Sequence, residues 1–245
     1  METKTSKTLS YSSCFTILFI SCYLQLICAL GGNDDILISC LASHGVENYT
    51  KPSSDPNSDY DRLFHINILN PLFKKTTSER LKPSLIVMPN SKQELSSTIK
   101  CCTRSSWTIK LRSGGHSYEG LSYISDTPFV LVDMMNLDRI SIDLNSETAW
   151  VESGATIGQL YYAIHESTDS YGFTAGWCPN VGVGGHLSGG GLGMLSRKYG
   201  LAADNVVDAI LIDSNGAILD RQSMGEDVFW AIRGGGGGCW GAVYS

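Results

Sequence analysis

Trp107-Thr-Ile-Lys-Leu-Arg-Ser-Gly-Gly-His-Ser-Tyr-Glu-Gly120 changes character half-way along. From Trp107 to Arg112 apolar and polar side chains alternate with period two, the pattern of a strand. At Ser113 the alternation stops, and two glycines lead into His116. A strand that runs into paired glycines brings bare backbone, amide hydrogens outward, close to a large ligand, most readily one carrying phosphates. Further along, Val181-Gly-Val-Gly-Gly-His-Leu-Ser-Gly-Gly-Gly-Leu-Gly193 repeats the arrangement, with His186 again behind two glycines. A flexible linker is the bland alternative, and it fails. Leu192, Met194 and Trp240 punctuate the glycine clusters, and linkers carry no core residues at such intervals.

The flanking sequence supplies the elements that would hold these loops. Pro83-Ser-Leu-Ile-Val-Met-Pro89 reads as a short buried strand, as does Phe129-Val-Leu-Val-Asp133, and Ala149 to Ser153 as another strand. Ser91-Lys-Gln-Glu94 fits a capping box before a helix with Leu95, Ile99 and Cys102 on one face. Thr156 to His165 has helical spacing, its apolar face formed by Ile157, Leu160, Tyr161 and Ile164. Residues 51–60 are a loop by composition. A strand over Val206–Ile212, a turn at Asp213-Ser-Asn-Gly216, a return over Ala217–Asp220 and a short helix over Asp227–Arg233 lead into Gly234–Gly238. Strands and helices alternate without the regular spacing of a doubly wound sheet, so the expected class is α+β. Gly236-Gly-Gly-Cys-Trp-Gly241 formally satisfies a dinucleotide fingerprint. That motif needs a strand before it and a helix after it; here a helix precedes and a strand follows, which argues against a Rossmann site.

Composition removes several function classes. Lys4 and Lys7, an apolar run from Phe15 to Ala29 and small residues at Gly31-Gly32 describe a secretory signal peptide over residues 1–30. Ser21 and Gln25 interrupt a run already short for a bilayer span of about 20 residues. No further spanning segment follows, so no membrane association is expected once the signal is removed. The formal charge of −6 and the absence of a Lys/Arg cluster exclude a general nucleic-acid binder. Of eight cysteines, Cys40, Cys101, Cys102, Cys178 and Cys239 lie beyond the signal. An oxidising compartment favours pairing and leaves an odd thiol over. None of their spacings fits a metal site. Asn48-Tyr-Thr50 is a glycosylation sequon, consistent with the secretory route.

His116 and His186 stand out by context, and Cys178, in Gly176-Trp-Cys-Pro179, reads as a buried or a reactive thiol. No nucleophile elbow and no third metal ligand accompany them, and spacing alone goes no further.

At these residues the chain resembles the berberine bridge enzyme family, within the vanillyl-alcohol-oxidase-type flavoproteins. Arg112-Ser-Gly-Gly-His-Ser-Tyr-Glu-Gly120, Gly176-Trp-Cys-Pro179, Gly184-Gly-His-Leu-Ser-Gly-Gly-Gly191, Arg197-Lys-Tyr-Gly-Leu-Ala-Ala-Asp-Asn205 and Asp227-Val-Phe-Trp-Ala-Ile-Arg-Gly-Gly-Gly236 stand in that family's order and spacing. The resemblance implies a PCMH-type FAD-binding domain of two α/β subdomains, truncated at its C-terminal end. Residues 31–78 would form its N-terminal segment and 79–245 its incomplete main part, with the substrate domain absent.

The resemblance also implies FAD attached covalently twice, through His116 to the flavin 8-methyl carbon and through Cys178 to ring carbon 6. Ser113, Gly114, Gly115 and Ser117 would cradle the pyrophosphate, and Gly182 would join the cofactor site. His186 would stand by the flavin N1/C2 carbonyl and stabilise negative charge there, with Tyr118 as an active-site tyrosine. Val181 would occupy an oxygen-gating position, and Cys40 and Cys101 would form the family disulfide, leaving Cys102 and Cys239 unpaired. The implied activity is oxidative cyclisation of the N-methyl group of (S)-reticuline to (S)-scoulerine, with O2 reduced to H2O2, in the vesicles or vacuole of the secretory pathway or outside the cell. A carboxylate base from the C-terminal half completes that reaction, so this chain alone is expected not to turn over. Oxidation of carbohydrates or lignol alcohols on the same frame, and a non-catalytic secreted remnant, are the competing readings.

Overall fold

The computed structural model describes residues 34–74, 82–236 and 238–245. The stretch read as a signal peptide lies outside them. Among the described residues, no helix is long and apolar enough to cross a membrane.

The first sheet has four strands in the order β1-β2-β4-β3. These are β1 (Tyr49–Thr50), β2 (Leu85–Val87), β3 (Thr108–Arg112) and β4 (Phe129–Asp133). β2, β4 and β3 run parallel, and β1 adds an antiparallel edge. Every residue of β2 and β4 is buried, as continuous apolar runs in a parallel sheet require. Alternate residues face opposite layers. Leu85, Val87, Val130 and Val132 pack with Leu37, Leu41, Leu95 and Ile99 from α1 (Asp34–Ser43) and α4 (Lys92–Arg104). Ile86, Phe129 and Leu131 pack with Tyr60, Leu63 and Phe64 from α2 (Asp59–Ile66). α3 (Pro71–Lys74) is a single turn.

A disulfide joins Cys40 of α1 to Cys101 of α4, as the family resemblance implied. His44 Nδ1 lies 3.9 Å from each of its sulfurs. Cys102 is buried and free, and burial pushes its thiol up to about 12; Cys178 and Cys239 are exposed and free.

The second half holds the antiparallel hairpin β5 (Ile140–Asp143) and β6 (Thr148–Val151), then α5 (Ile157–Ser167). It continues through α6 (Val183–Ser188) and α7 (Ser196–Tyr199). A three-stranded antiparallel sheet follows in the order β8-β7-β9, formed by β7 (Leu211–Ile212), β8 (Ile218–Leu219) and β9 (Ala242–Val243). Between β8 and β9 lies α8 (Arg221–Ala231).

Four details depart from the sequence reading. α2 starts at Asp59, inside the stretch read as a loop, because the Ser58 side chain accepts from Asp61 N. At α4, Ser91 does cap Glu94 N, but the Glu94 carboxylate reaches back to Asn90 N instead of Ser91 N. The full box forms on α5, where Thr156 and Gln159 satisfy each other's backbone. The strand expected from Val206 shortens to β7, since Arg233 and Arg221 donate to the carbonyls of Val206 and Val207 that a neighbouring strand would otherwise engage. The helix expected from Asp227 starts at Arg221, capped by Asp220 and Ser223, and Gly225 (φ 76°) kinks it before the part the sequence predicts.

Candidate functional site

The carboxyl ends of β3 and β4 fix where the first glycine loop leaves the sheet, which is where open parallel sheets place their ligands. Arg112 ends β3 and pairs in register with Asp133, the last residue of β4. Both side chains are fully buried. The Arg112 guanidinium donates from Nε and Nη2 to Asp133 Oδ2, and also to the carbonyls of Phe64 and Leu63 in the last turn of α2. The helix end is thereby neutralised by a cation while the cation is neutralised by a carboxylate. Met135 N donates to the other Asp133 oxygen. Burial pushes the Asp133 carboxyl up, against the pull of Arg112.

From this anchor the loop Ser113–Ser117 is held on three sides. Gly115 (φ 71°) lies flat on the Asn67 carbonyl, where any Cβ would overlap the oxygen. A Cβ on Gly114 would strike Gly182 N and Asn180 O, and one on Gly182 would strike Ser113 Oγ and Gly114 N. The two glycine loops are therefore clasped backbone to backbone. Ser113 Oγ also donates to Ser153 O at 2.6 Å, and Gly184 N donates to the same carbonyl at 3.0 Å. α5 holds the second loop from behind, through Ile157 N to Val181 O and Gly158 N to Pro179 O.

His186 sits on α6 in a fixed protonation pattern. Tyr161 of α5 donates to the carbonyls of Ala175 and Gly176, and Gly176 N then donates to His186 Nε2 at 3.0 Å. A backbone N–H is always a donor, so Nε2 is the acceptor and the ring proton is on Nδ1. Burial holds the His186 pKa below its ordinary value of 6.5, which favours the same neutral form. Gly191 closes the other side, where a Cβ would come within 2.9 Å of the ring.

These parts enclose a cleft of about 820 Å³, within the range of cofactor sites. It brings together Ser113, Gly114, Gly115, His116, Ser117, Tyr118, Val181, Gly182 and His186, all singled out from sequence. Cys178 is not among its lining residues. Its thiol is exposed and donates to Asn180 Oδ1 at 3.1 Å, while its carbonyl accepts from Val181 N, one turn from the cleft wall. Tyr118 is 88% exposed, its backbone carbonyl held by Asn70 Nδ2. Gly191 and Gly238, from the glycine clusters, also line the cleft, and so do Ser122 and Ser153, which sequence reasoning missed. Gly234 N and Gly236 N both donate to Ser188 O at the end of α6, which ties that stretch of glycines to the same wall. A separate cleft of about 380 Å³, bounded by Tyr161, Phe173, Trp177 and Met194, contains neither His116 nor His186.

The larger cleft shows a deficit of partners. Five buried side-chain polar atoms among the described residues have no hydrogen-bond partner, and His116 Nε2, Ser122 Oγ and Ser153 Oγ are three of them. All three residues line this cleft. Buried polar groups are otherwise paired, so the cleft is built for a ligand rich in hydrogen-bonding atoms.

The family described as FAD binding domain matches residues 83–221, from the threshold of β2 to the first residue of α8. The chain belongs to that family. Within this FAD-binding domain family, reticuline oxidase of Papaver somniferum is 72% identical over 229 residues, covering 93% of this chain and 42% of the relative. Reticuline oxidase of Eschscholzia californica is 69% identical over 227 residues, covering 92% and 41%. A solved structure of a berberine bridge enzyme variant in complex with (S)-reticuline superposes with a TM-score of 0.82 at 69% identity, covering 85% of this chain and 41% of that one. The chain thus spans about two fifths of the length of these relatives. FAD fits the cleft on its own evidence. The glycines of the two loops carry no side chains into it, Gly185 faces open space, and the residues lining it include three with unpartnered buried polar atoms.

Proposed function

We propose that this chain is the flavin-binding part of an oxidase that cyclises the N-methyl group of (S)-reticuline to give (S)-scoulerine. The likeness to reticuline oxidases carries this reading, with the chain's own glycine loops and histidines gathered at one cleft in its support. Bound FAD supplies a two-electron acceptor that O2 reoxidises with release of H2O2.

The chain's residues divide the remaining work. His116 and Cys178 tether the flavin, His116 from inside the cleft and Cys178 from the exposed turn beside it. The loop Ser113–Ser117 and Gly182 hold the pyrophosphate through backbone amides. His186, neutral and donating from Nδ1, stabilises negative charge that develops on the ring without adding a full positive charge of its own. Tyr118 borders the substrate's approach, and Val181 sets the access of O2. The substrate's phenolic proton is taken by a carboxylate in the part of the relatives this chain does not span. Synthesis through the secretory pathway, with glycosylation at Asn48 and residence in a vesicle or vacuole, completes the proposal.

The test uses a full-length form carrying this sequence. Incubated with (S)-reticuline it should give (S)-scoulerine and one H2O2 per turnover, and acid precipitation should leave flavin bound. His116→Ala and Cys178→Ala should each leave one attachment. Peroxide from sugars but none from (S)-reticuline would overturn the substrate, and loss of all flavin on precipitation would overturn the double tether.

A further inference from the structure

We propose that Ser153 is a flavin-binding residue whose hydroxyl donates to an acceptor oxygen of FAD. The proposal rests on the reading of the cleft as the FAD site and adds a contact that the motifs do not contain.

Ser153 follows β6 and is 4% exposed. Its backbone is pinned by three separate pieces of the fold. Its N–H donates to Tyr244 O at 2.8 Å, and its carbonyl accepts from Ser113 Oγ and from Gly184 N. Nothing in the backbone remains free to shift. The side chain is the exception: Ser153 is one of the residues lining the cleft, and its Oγ is buried and has no partner. An unmade hydrogen bond at a buried hydroxyl costs about 1–3 kcal/mol, a cost the flavin-free protein bears with no return. A residue held by both glycine loops and by the segment after β9, with only its hydroxyl unspent, is arranged to bind what lies between those loops.

Ser105 provides the contrast. Its hydroxyl is also buried and unpartnered, but it caps α4 and does not line the cleft.

The proposal predicts effects of opposite sign in one variant. Binding is measured in a full-length form carrying this sequence with His116→Ala and Cys178→Ala, so that flavin exchange is reversible. In that background Ser153→Ala should raise the melting temperature of the flavin-free protein by about 2 °C, because an unsatisfied buried group is gone. It should also weaken FAD binding about tenfold. Ser105→Ala should raise the melting temperature similarly and leave FAD affinity unchanged. Riboflavin, which lacks phosphates, locates the acceptor. Weakening with FAD alone places it on the pyrophosphate or the adenosine, and weakening with both places it on the ring or ribityl chain; either supports the assignment. Unchanged FAD affinity in Ser153→Ala overturns it, as does a lower melting temperature, which would mean the hydroxyl serves the protein itself. Failure of the parent to bind FAD at all overturns the cleft reading together with this assignment, and is distinguishable because Ser153→Ala is not needed to see it.

Discussion

At the scale of single residues, the sequence makes the functional side chains conspicuous and conceals those that position them. His116 and His186 are visible because each follows two glycines. Arg112 opens the same motif, yet nothing in its spacing reveals that it lies fully buried against Asp133, twenty-one positions on, and the end of α2. Ser153 is hidden for a related reason: a serine after a strand is ordinary until its hydroxyl is seen without a partner. The Arg112–Asp133 pair sets the root of the flavin loop, and removing one partner should expose its worth. Asp133→Asn leaves a buried guanidinium uncompensated, so urea denaturation should show a loss of about 3–5 kcal/mol. A loss below 1 kcal/mol would mean that the carbonyls of Leu63 and Phe64 suffice to hold the cation.

At the scale of elements, legibility follows whether the stabilising contacts are local. β4 and the helix α5 are read correctly because continuous burial and helical spacing show within a few residues, whereas the capping box on α5 goes unread. The strand from Val206 is overestimated because its carbonyls accept from arginines fourteen and twenty-seven positions away, which no short window detects. The glycine clasp is half-legible: density signals close backbone approach, but which glycines meet depends on how β3 and α5 present them. Gly182→Ala tests that meeting. Its Cβ would collide with Ser113 and Gly114, so the two loops should separate, with a stability loss of about 1–3 kcal/mol and loss of bound flavin absorbance. Gly185→Ala on the same cleft, where a Cβ meets nothing within 4 Å, should not lower stability. Equal losses in both variants would remove the clasp as the explanation.

At the scale of the molecule, the α+β class is borne out, and the family is legible because its motifs are spread across the chain in a fixed order. The Cys40–Cys101 pairing followed from that resemblance, since five cysteines by themselves permit several. It closes a separation of 61 residues that includes β1, α2 and β2, and the chain-entropy effect of such a loop is about 4 kcal/mol. Replacing both cysteines by serine should lower stability by roughly that amount, read as a shift in the urea midpoint; an unchanged midpoint would show that the α1–α4 packing already fixes the loop.

The bond from Ser153 N to Tyr244 O bears on how the protein is made. Tyr244 also bonds Glu152 and, through its backbone, Ile210, so a wall of the cleft is completed by a residue more than 120 positions after His116. Ribosomes deliver a polypeptide from its N-terminus, and the parallel sheet can form while translation continues. The cofactor's enclosure cannot. Until Tyr244 has left the exit tunnel the nascent chain offers only half a clamp, which puts cofactor loading after synthesis of this region.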